Sequence, residues 1–515
     1  MSKVKSAIIT AIVVIAIIVA AVFGVASFNI GVAQRYNSIA ASIPLGSEFT
    51  GYAYTTIYPE GVISQAEYNA LEDEDKSSYE SVGGVYVSLD DCDYGDIQSL
   101  SEAVESDAAI LSERLSNRGL TDYTVTVRDS VTIYVGVPAA YTYAAYSGND
   151  DASHSASLSA AVTTLNYILS DGELTLRTAD TSITQEGDDD SSSTYDTTRF
   201  ADEYTDADVL GNGSATYPFV SASEDATEYF SSVTAYAFGG NNILSFDLTS
   251  YGRERMRYIS SLAASSDSQA IYVCVGNTQI LAINCTSTID SNTMQFTLGD
   301  LSTAKDAASV LNSVISGKAL SVTYNDINSI LSSTASGGVN AALMSFVACI
   351  VLLVALCVAA VVKYKKLGGV LSMSLVILAL VMLYGLYLLS IQVTFEVLAV
   401  CVGVLILFAA ANLVVLSEVR AQCKAGKTMQ ASIKAGYKRT LWTVIDIHAI
   451  VLVAAILMAA VATGAVAACG LILVVGSIAS YVLYWFTRFM WYVLSSPQRN
   501  KFAFGGFKRE VYGDD

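Results

Sequence analysis

The chain has 515 residues, of which 53% are apolar, and a formal net charge of −20. This apolar share is too high for one soluble domain, and the acidic balance argues against binding nucleic acid through charge. The apolar residues are unevenly spread, so the composition predicts membrane-spanning helices attached to a large polar region.

Six apolar runs are long enough to cross a bilayer as helices. The first, residues 7–28, follows Lys3 and Lys5, and we interpret it as an uncleaved anchor because its apolar core is longer than that of a typical signal peptide. The other five runs follow Gly338 and comprise residues 341–362, 369–390, 397–416, 443–463 and 467–486. Residues 29–340 form the polar region between the first run and the second.

The distribution of basic residues predicts the orientation in the membrane. Lys and Arg occur in residues 363–366, 420–439 and 488–509, whereas the turns at 391–394 and 464–465 have none. The positive-inside rule therefore predicts a multi-pass membrane protein with both termini in the cytoplasm and residues 29–340 outside. That outer region carries 12 Lys and Arg against 42 Asp and Glu.

The outer region begins with a predicted α+β half, residues 29–141. A strand is predicted at 85–89 and an amphipathic helix from Ile97 to Leu115, in which apolar residues recur every three or four positions. Strands at 124–128 and 132–137 form a predicted hairpin through Asp129 and Ser130.

Residues 142–240 are interpreted as an inserted acidic head region. Residues 186–208 are acidic and of low complexity. Asp188, Asp189 and Asp190 resemble part of a calcium loop but lack its Gly and terminal Glu, which favours a solvated loop.

Residues 241–335 form the second predicted α+β half. Helices are expected at 251–264 and 302–315, and strands at 243–248, 271–275, 279–284, 293–297 and 319–324. Both halves contain a helix followed by an antiparallel strand pair. The predicted fold is therefore an α-helical membrane bundle of six transmembrane helices, with a large extracytoplasmic α+β domain built from ferredoxin-like units. Residues 1–28 are the anchor, 336–495 the five-helix bundle and 496–515 a cytoplasmic tail.

Eight cysteines do not form a disulfide framework at this length. Cys92, Cys274 and Cys285 lie in the outer region, where any two of them could form a disulfide, and no spacing selects a pair. No nucleophile–base set, metal-ligand spacing or phosphate loop is present, and His154 lies far from His448 by the predicted topology. The sequence therefore predicts no enzyme, no cofactor and no metal site.

Three polar residues interrupt the fourth and fifth membrane segments: Asn412, Asp446 and His448. A carboxylate inside a bilayer costs roughly 3 kcal/mol or more and is usually retained for ion or proton handling. Asn412 and Asp446 are predicted at similar depths on antiparallel helices, where they could face each other. His448 titrates near neutral pH and could carry a proton, although a packed neutral histidine is an equally good interpretation.

A predicted helix ends in Arg114-Leu115 and Gly119, and it leads into paired strands that end at Pro138. This combination resembles the signature of the SecD family. Weaker similarities to this family occur at residues 45–51, 246–252, 270–275, 280, 313–320, 364–368, 412–420 and 443–446. The resemblance implies a subunit of the bacterial Sec accessory complex, in the RND superfamily, that uses the proton gradient to help move preproteins. It also implies partners: a separate SecF-like membrane subunit, the SecYEG translocon and unfolded preprotein, in the lipid bilayer and without nucleic acid.

The chain departs from the family pattern where proton coupling is expected. The family's fourth-segment Asp corresponds to Ala410, and its fifth-segment Asp-Ala-Asn corresponds to Asp446-Ile447-His448. Asp446, His448 and Asn412 are therefore the proton-pathway candidates. Two alternatives remain open: a scaffold or polypeptide-binding membrane protein without energy coupling, and a small-molecule RND exporter.

Overall fold

A computed structural model describes residues 3–30, 34–72, 75–92, 94–139, 151–179, 182–183, 194–195, 207–212, 215–221, 226–264, 269–276, 278–325, 330–333, 335 and 338–495. The chain divides into two compact units. One unit contains residues 1–51, 138–157 and 334–515, and the other contains residues 52–137 and 158–333. The first is the membrane bundle, and the second is the α+β domain.

Twelve helices occur among the described residues. They are α1 Lys3–Val25, α2 Ile39–Ser42, α3 Ser47–Thr50, α4 Gln65–Ala70, α5 Ile97–Asn117, α6 Asp151–Ile168, α7 Ser250–Ala264, α8 Leu301–Ile315, α9 Gly338–Leu388, α10 Phe395–Lys424, α11 Met429–Val461 and α12 Gly464–Ser495. Short 3₁₀ turns occur at Asp75–Ser78, Leu89–Asp91 and Thr227–Tyr229.

Nineteen strands occur in the same described residues. They are β1 Phe28–Ile30, β2 Gln34–Tyr36, β3 Tyr52–Ile57, β4 Val62–Ser64, β5 Glu80–Val82, β6 Val85–Val87, β7 Thr124–Arg128, β8 Thr132–Pro138, β9 Leu174–Ala179, β10 Ser182–Ile183, β11 Thr194–Tyr195, β12 Ala207–Asn212, β13 Ala215–Ser221, β14 Phe230–Phe238, β15 Asn241–Leu248, β16 Ala270–Val275, β17 Thr278–Asn284, β18 Thr293–Leu298 and β19 Leu331–Ser333.

Five helices in the described residues are long and apolar enough to cross a membrane: α1, α9, α10, α11 and α12. Helix α9 contains two segments, because Lys365 has non-helical dihedral angles (φ 52°, ψ −123°). The chain folds back at this point, and Ser372 Oγ donates a hydrogen bond to the carbonyl of Cys357 at 3.0 Å. Each of the six predicted spans therefore has a helical counterpart, with the second and third joined by a tight basic turn.

The segment before the α+β domain packs into the membrane bundle. Ile43, Leu45 and Phe49 are fully or almost fully buried in the same apolar core as the long helices. Leu45 forms a parallel bridge with Val393, and Gly46 N donates to the carbonyl of Val393 at 2.8 Å. This short extended stretch satisfies backbone groups immediately before α10.

The α+β domain repeats one motif, as the sequence predicts. Helix α5 precedes the antiparallel pair β7–β8, and α7 precedes the antiparallel pair β16–β17. The larger sheets have the strand orders β19-β3-β8-β7, β14-β15-β18 and β12-β13-β9-β16-β17. Helices α5 and α8 bury apolar side chains in the core that these sheets share.

Strand β9 lies within the region predicted to be an inserted head, yet it belongs to the α+β domain. It pairs antiparallel with β16 from Tyr272↔Arg177 to Val275↔Leu174, and Leu174 and Leu176 are fully buried. The sequence shows the apolar alternation of β9 but not its distant partner strand. The acidic run at Asp188, Asp189 and Asp190 lies outside the described residues.

The prediction of a strand at residues 319–324 is wrong. The structure has only an isolated β-bridge there, between Tyr324 and Pro59. Asp107, fully buried on α5, accepts hydrogen bonds from Ser321 N and Val322 N at 2.8 and 3.0 Å. A side-chain carboxylate therefore satisfies amide groups that a neighbouring strand would otherwise pair.

Candidate functional site

The candidate site lies on helices α10 and α11, whose ends the sequence specifies locally. Thr394 is the N-cap of α10, where its hydroxyl accepts a hydrogen bond from Val397 N, and Thr428 caps α11 in the same way through Ala431 N. Gly426, with φ +86°, permits the turn between the two helices. The result is a helical hairpin with its basic loop at one end.

Two contacts fix the register of this hairpin. A Cβ atom at Gly436 would lie 2.6 Å from Val419 Cγ2, so only glycine allows this close approach without a shift. Arg439 Nη1 donates to Glu418 Oε1 at 3.0 Å, and because both side chains are partly exposed the pair contributes little stability. The helices are antiparallel, so segments that precede Val419 lie beside segments that follow Gly436.

Asn412 is fully buried on α10. Its Nδ2 donates to the carbonyl of Phe408 at 2.9 Å, one turn earlier in the same helix. Its Oδ1 has no hydrogen-bond partner among the described residues. A buried amide oxygen without a donor is costly, so this atom can accept a hydrogen bond from a water molecule or a mobile proton donor.

His448 is 5% exposed on α11. Its Nδ1 lies 2.8 Å from the carbonyl of Val444, and because a carbonyl only accepts, the neutral ring carries its proton on Nδ1. Nε2 then presents a lone pair, and within the described part of the chain it has no partner. The ring centroid lies 5.9 Å from that of Tyr481 on α12. His448 can therefore accept a proton at Nε2 inside the bundle.

Asp446 lies on a different face of the same helix. Two residues correspond to about 200° around a helix axis, so Asp446 and His448 point in nearly opposite directions. Asp446 is exposed, as are Trp442 and Ile450 one turn to either side, at 71% and 70%. The structure therefore does not bring Asp446 to the buried Asn412.

Two further positions, one on α10 and one on α12, differ in their burial. Ala410, which the SecD resemblance matches to the family's carboxylate, is exposed on α10, so its face is turned away from the bundle interior. Ser477 on α12 is 3% exposed, and its hydroxyl has no partner among the described residues. The sequence does not single out Ser477, since an isolated serine in an apolar run also occurs in helices with no polar function.

Comparison with known proteins gives a local match. No family model matches the chain. The SecD translocase subunit of Anaeromyxobacter dehalogenans is 28% identical over 120 residues, which is 23% of this chain and 20% of that protein. The SecD subunit of Aquifex aeolicus is 26% identical over 133 residues, which is 26% of each protein. The matched stretch thus spans a fifth to a quarter of the length of these relatives.

Solved structures of SecDF are also similar. A crystal structure in the super-membrane-facing form gives a TM-score of 0.47 at 15% identity, covering 96% of this chain and 59% of that one. The SecDF structure from Thermus thermophilus gives 0.43 at 16% identity, with 96% and 60% covered. The two sequence matches are to the same family that the residues themselves resemble. Over about a quarter of its length, the chain is similar to SecD translocase subunits.

Proposed function

We propose that this chain assists preprotein translocation across the bacterial cytoplasmic membrane as a SecD-like, non-enzymatic subunit. The observation that carries the proposal is the local sequence similarity to two SecD translocase subunits. In this proposal the α+β domain lies outside and contacts the emerging unfolded polypeptide, both termini are cytoplasmic, and the chain works beside SecYEG.

The proton gradient is proposed to act on the membrane bundle through its buried polar atoms. His448 Nε2 and Asn412 Oδ1 are buried and lack partners among the described residues, so a proton or water entering the bundle would find an acceptor there. One elementary charge crossing 100 mV supplies about 2.3 kcal/mol, which is enough to bias a two-state helix movement.

Asp446 supports the involvement of a separate SecF-like chain. A carboxylate that faces lipid costs roughly 3 kcal/mol or more, whereas one that faces a polar group on another helix does not carry this full cost. Asp446 is exposed on a membrane-spanning helix, between exposed Trp442 and Ile450. A partner helix on this face would cover Asp446, which would then be a proton-pathway residue at the interface.

A scaffold without energy coupling is the second candidate, and one observation favours it. Ala410 replaces the family's carboxylate and provides no titratable group on the exposed face of α10. In that case His448 packs as a neutral side chain, and the polypeptide-binding role remains. A small-molecule RND exporter is the third candidate, which no contact among the described residues favours.

Measuring preprotein export in cells that carry Asp446→Asn or His448→Ala separates the first two candidates. With proton coupling, we expect each variant to lower gradient-dependent export towards the level of cells lacking the chain, while the protein remains in the membrane. Glu418→Gln is the matched control, because it also removes a carboxylate from the hairpin but at the Arg439 contact. Normal export in both variants would leave the scaffold as the better explanation.

A further inference from the structure

A cavity of about 330 Å³ opens between α11 and α12 at the basic end of the membrane bundle. It is lined by Ile433, Lys434, Trp485, Arg488, Phe489 and Tyr492. Ile433 is buried and forms its apolar floor, whereas Trp485, Phe489 and Tyr492 are 36%, 52% and 53% exposed. The cavity thus combines two cations with aromatic walls that open to the surroundings.

Packing holds the Arg488 cation in place. Its guanidinium carbon lies 5.2 Å from the ring centroid of Trp485 and 5.5 Å from that of Tyr437. Tyr437 is 1% exposed and its hydroxyl donates to the carbonyl of Tyr484, so this ring cannot move freely. Two aromatic faces orient Arg488, and its side-chain N–H groups have no hydrogen-bond partner among the described residues, so they can bind an anion.

No carboxylate neutralises these cations within the part of the chain that the structure describes. Glu418, the acidic residue at the basic end of the α10–α11 hairpin, pairs with Arg439. Neither the Lys434 side chain nor the Arg488 side chain forms a salt bridge or a hydrogen bond with another described residue. Two unpaired cations beside one cavity attract a phosphate or a similar anion.

Apolar residues continue from the cavity along α12. Ile478 and Val482 are 51% and 60% exposed, and they precede Trp485 and Phe489 at intervals of three or four residues. These positions share one face of the helix. This face runs from the cavity towards the middle of the membrane segment, as the acyl chain of a lipid would.

We infer that the cavity binds the phosphate headgroup of an anionic phospholipid, whose acyl chains lie along Ile478, Val482 and Phe489. Lys434 and Arg488 contact the phosphate, and Trp485 and Tyr492 lie at headgroup level, where amphipathic aromatic rings are common. The apolar face favours a lipid over free phosphate, because a soluble anion gains nothing from exposed Val and Ile side chains. This site does not depend on the proposed role in export.

The test uses the full chain purified in detergent, with phosphatidylglycerol, phosphatidylcholine and inorganic phosphate as separate additives. Native mass spectrometry counts bound lipid, and thermal unfolding measures stabilisation. We expect phosphatidylglycerol alone to bind and to raise Tm. Lys434→Gln should weaken its binding roughly fivefold, because one basic group near a membrane surface contributes about that factor.

Arg420→Gln is the matched control, since it removes one exposed charge at the same end of the bundle but outside the cavity. It should leave lipid binding unchanged. Arg488→Lys should retain binding and Arg488→Gln should lose it. If Arg488→Gln does not fold, the Lys434→Gln variant still tests the inference. It should fold normally, because the Lys434 side chain is exposed and makes no packing contact in the core.

Three results would overturn the inference. One is binding of phosphatidylcholine as tight as that of phosphatidylglycerol. Another is stabilisation by inorganic phosphate equal to that by the lipid, which would indicate a soluble anion as the ligand. The third is unchanged phosphatidylglycerol binding in a folded Lys434→Gln variant.

Discussion

At the scale of single residues, charged groups buried in the α+β domain join segments that are distant in sequence. Arg114 is fully buried, and its guanidinium donates to the carbonyls of Ile168 and Ser170 at 2.8 and 2.7 Å. Burial lowers the pKa of Arg114 to about 10, opposed by the charge of Asp107. Arg114 belongs to the stretch that resembles SecD, and its contacts give that position a structural role.

Asp306 provides a prediction at this scale. Its carboxylate accepts hydrogen bonds from Arg118 Nε at 2.7 Å and Thr164 Oγ1 at 2.8 Å. Burial raises its pKa, and the charge of Arg118 opposes that rise without cancelling it. Because the folded pKa lies above the unfolded value, the folded state binds more protons between the two values. The stability from this group is therefore greatest at acid pH and falls as pH rises through the folded pKa.

In Asp306→Asn the titrating group is absent, so the variant should lack this pH dependence. We expect the free energy of unfolding of the wild-type protein, compared with that of Asp306→Asn, to decrease as pH rises from about 4 to about 7. Thermal unfolding of both proteins across that range measures the difference. A relative stability that increases with pH would contradict the direction of the pKa shift.

At the scale of elements, the hairpin inside α9 depends on a close backbone contact. A Cβ atom at Gly368 would lie 1.9 Å from the carbonyl oxygen of Ala360, whereas one at the adjacent Gly369 would have no atom within 4 Å. The turn at Lys365 thus brings two apolar segments together only if Gly368 has no side chain.

We predict that Gly368→Ala destabilises the membrane bundle by about 1–3 kcal/mol, the usual cost of forcing extra volume into a packed contact. Gly369→Ala is the matched control and should have little effect or stabilise the helix slightly. Thermal unfolding of the two variants in the same detergent compares them directly. Equal losses of stability would mean that the Ala360 contact does not hold the hairpin.

At the scale of the whole molecule, the basic loops and the acidic outer region predict one orientation in the membrane. Ser106 is exposed on α5 in the α+β domain, and Ala425 is exposed in the basic turn between α10 and α11. In a chain whose native cysteines are replaced, a membrane-impermeant maleimide should label Ser106→Cys in intact cells. It should label Ala425→Cys only after the membrane is permeabilised, and the reverse pattern would invert the proposed topology.

The sequence by itself determined the properties that depend on local patterns. Apolar length predicted six membrane segments, and apolar spacing predicted α5 and the hairpins β7–β8 and β16–β17. Those periods arise from helix and strand geometry, which neighbouring residues suffice to reveal. The three polar candidates Asn412, Asp446 and His448 were also visible, because they stand out within apolar runs.

Only the tertiary structure decided which residues meet. In the structure His448 is buried, Asp446 is exposed, and β9 pairs with β16. The backbone amides of residues 321 and 322 donate hydrogen bonds to Asp107 and do not form a strand. The tertiary structure also brings Lys434 and Arg488 to one cavity, although 53 positions separate them in the sequence. The physical reason is the same in each case. The spacing of apolar residues within one helix or strand can be read from a single sequence. Which residues contact a buried face or a charged group depends on how distant elements pack against each other.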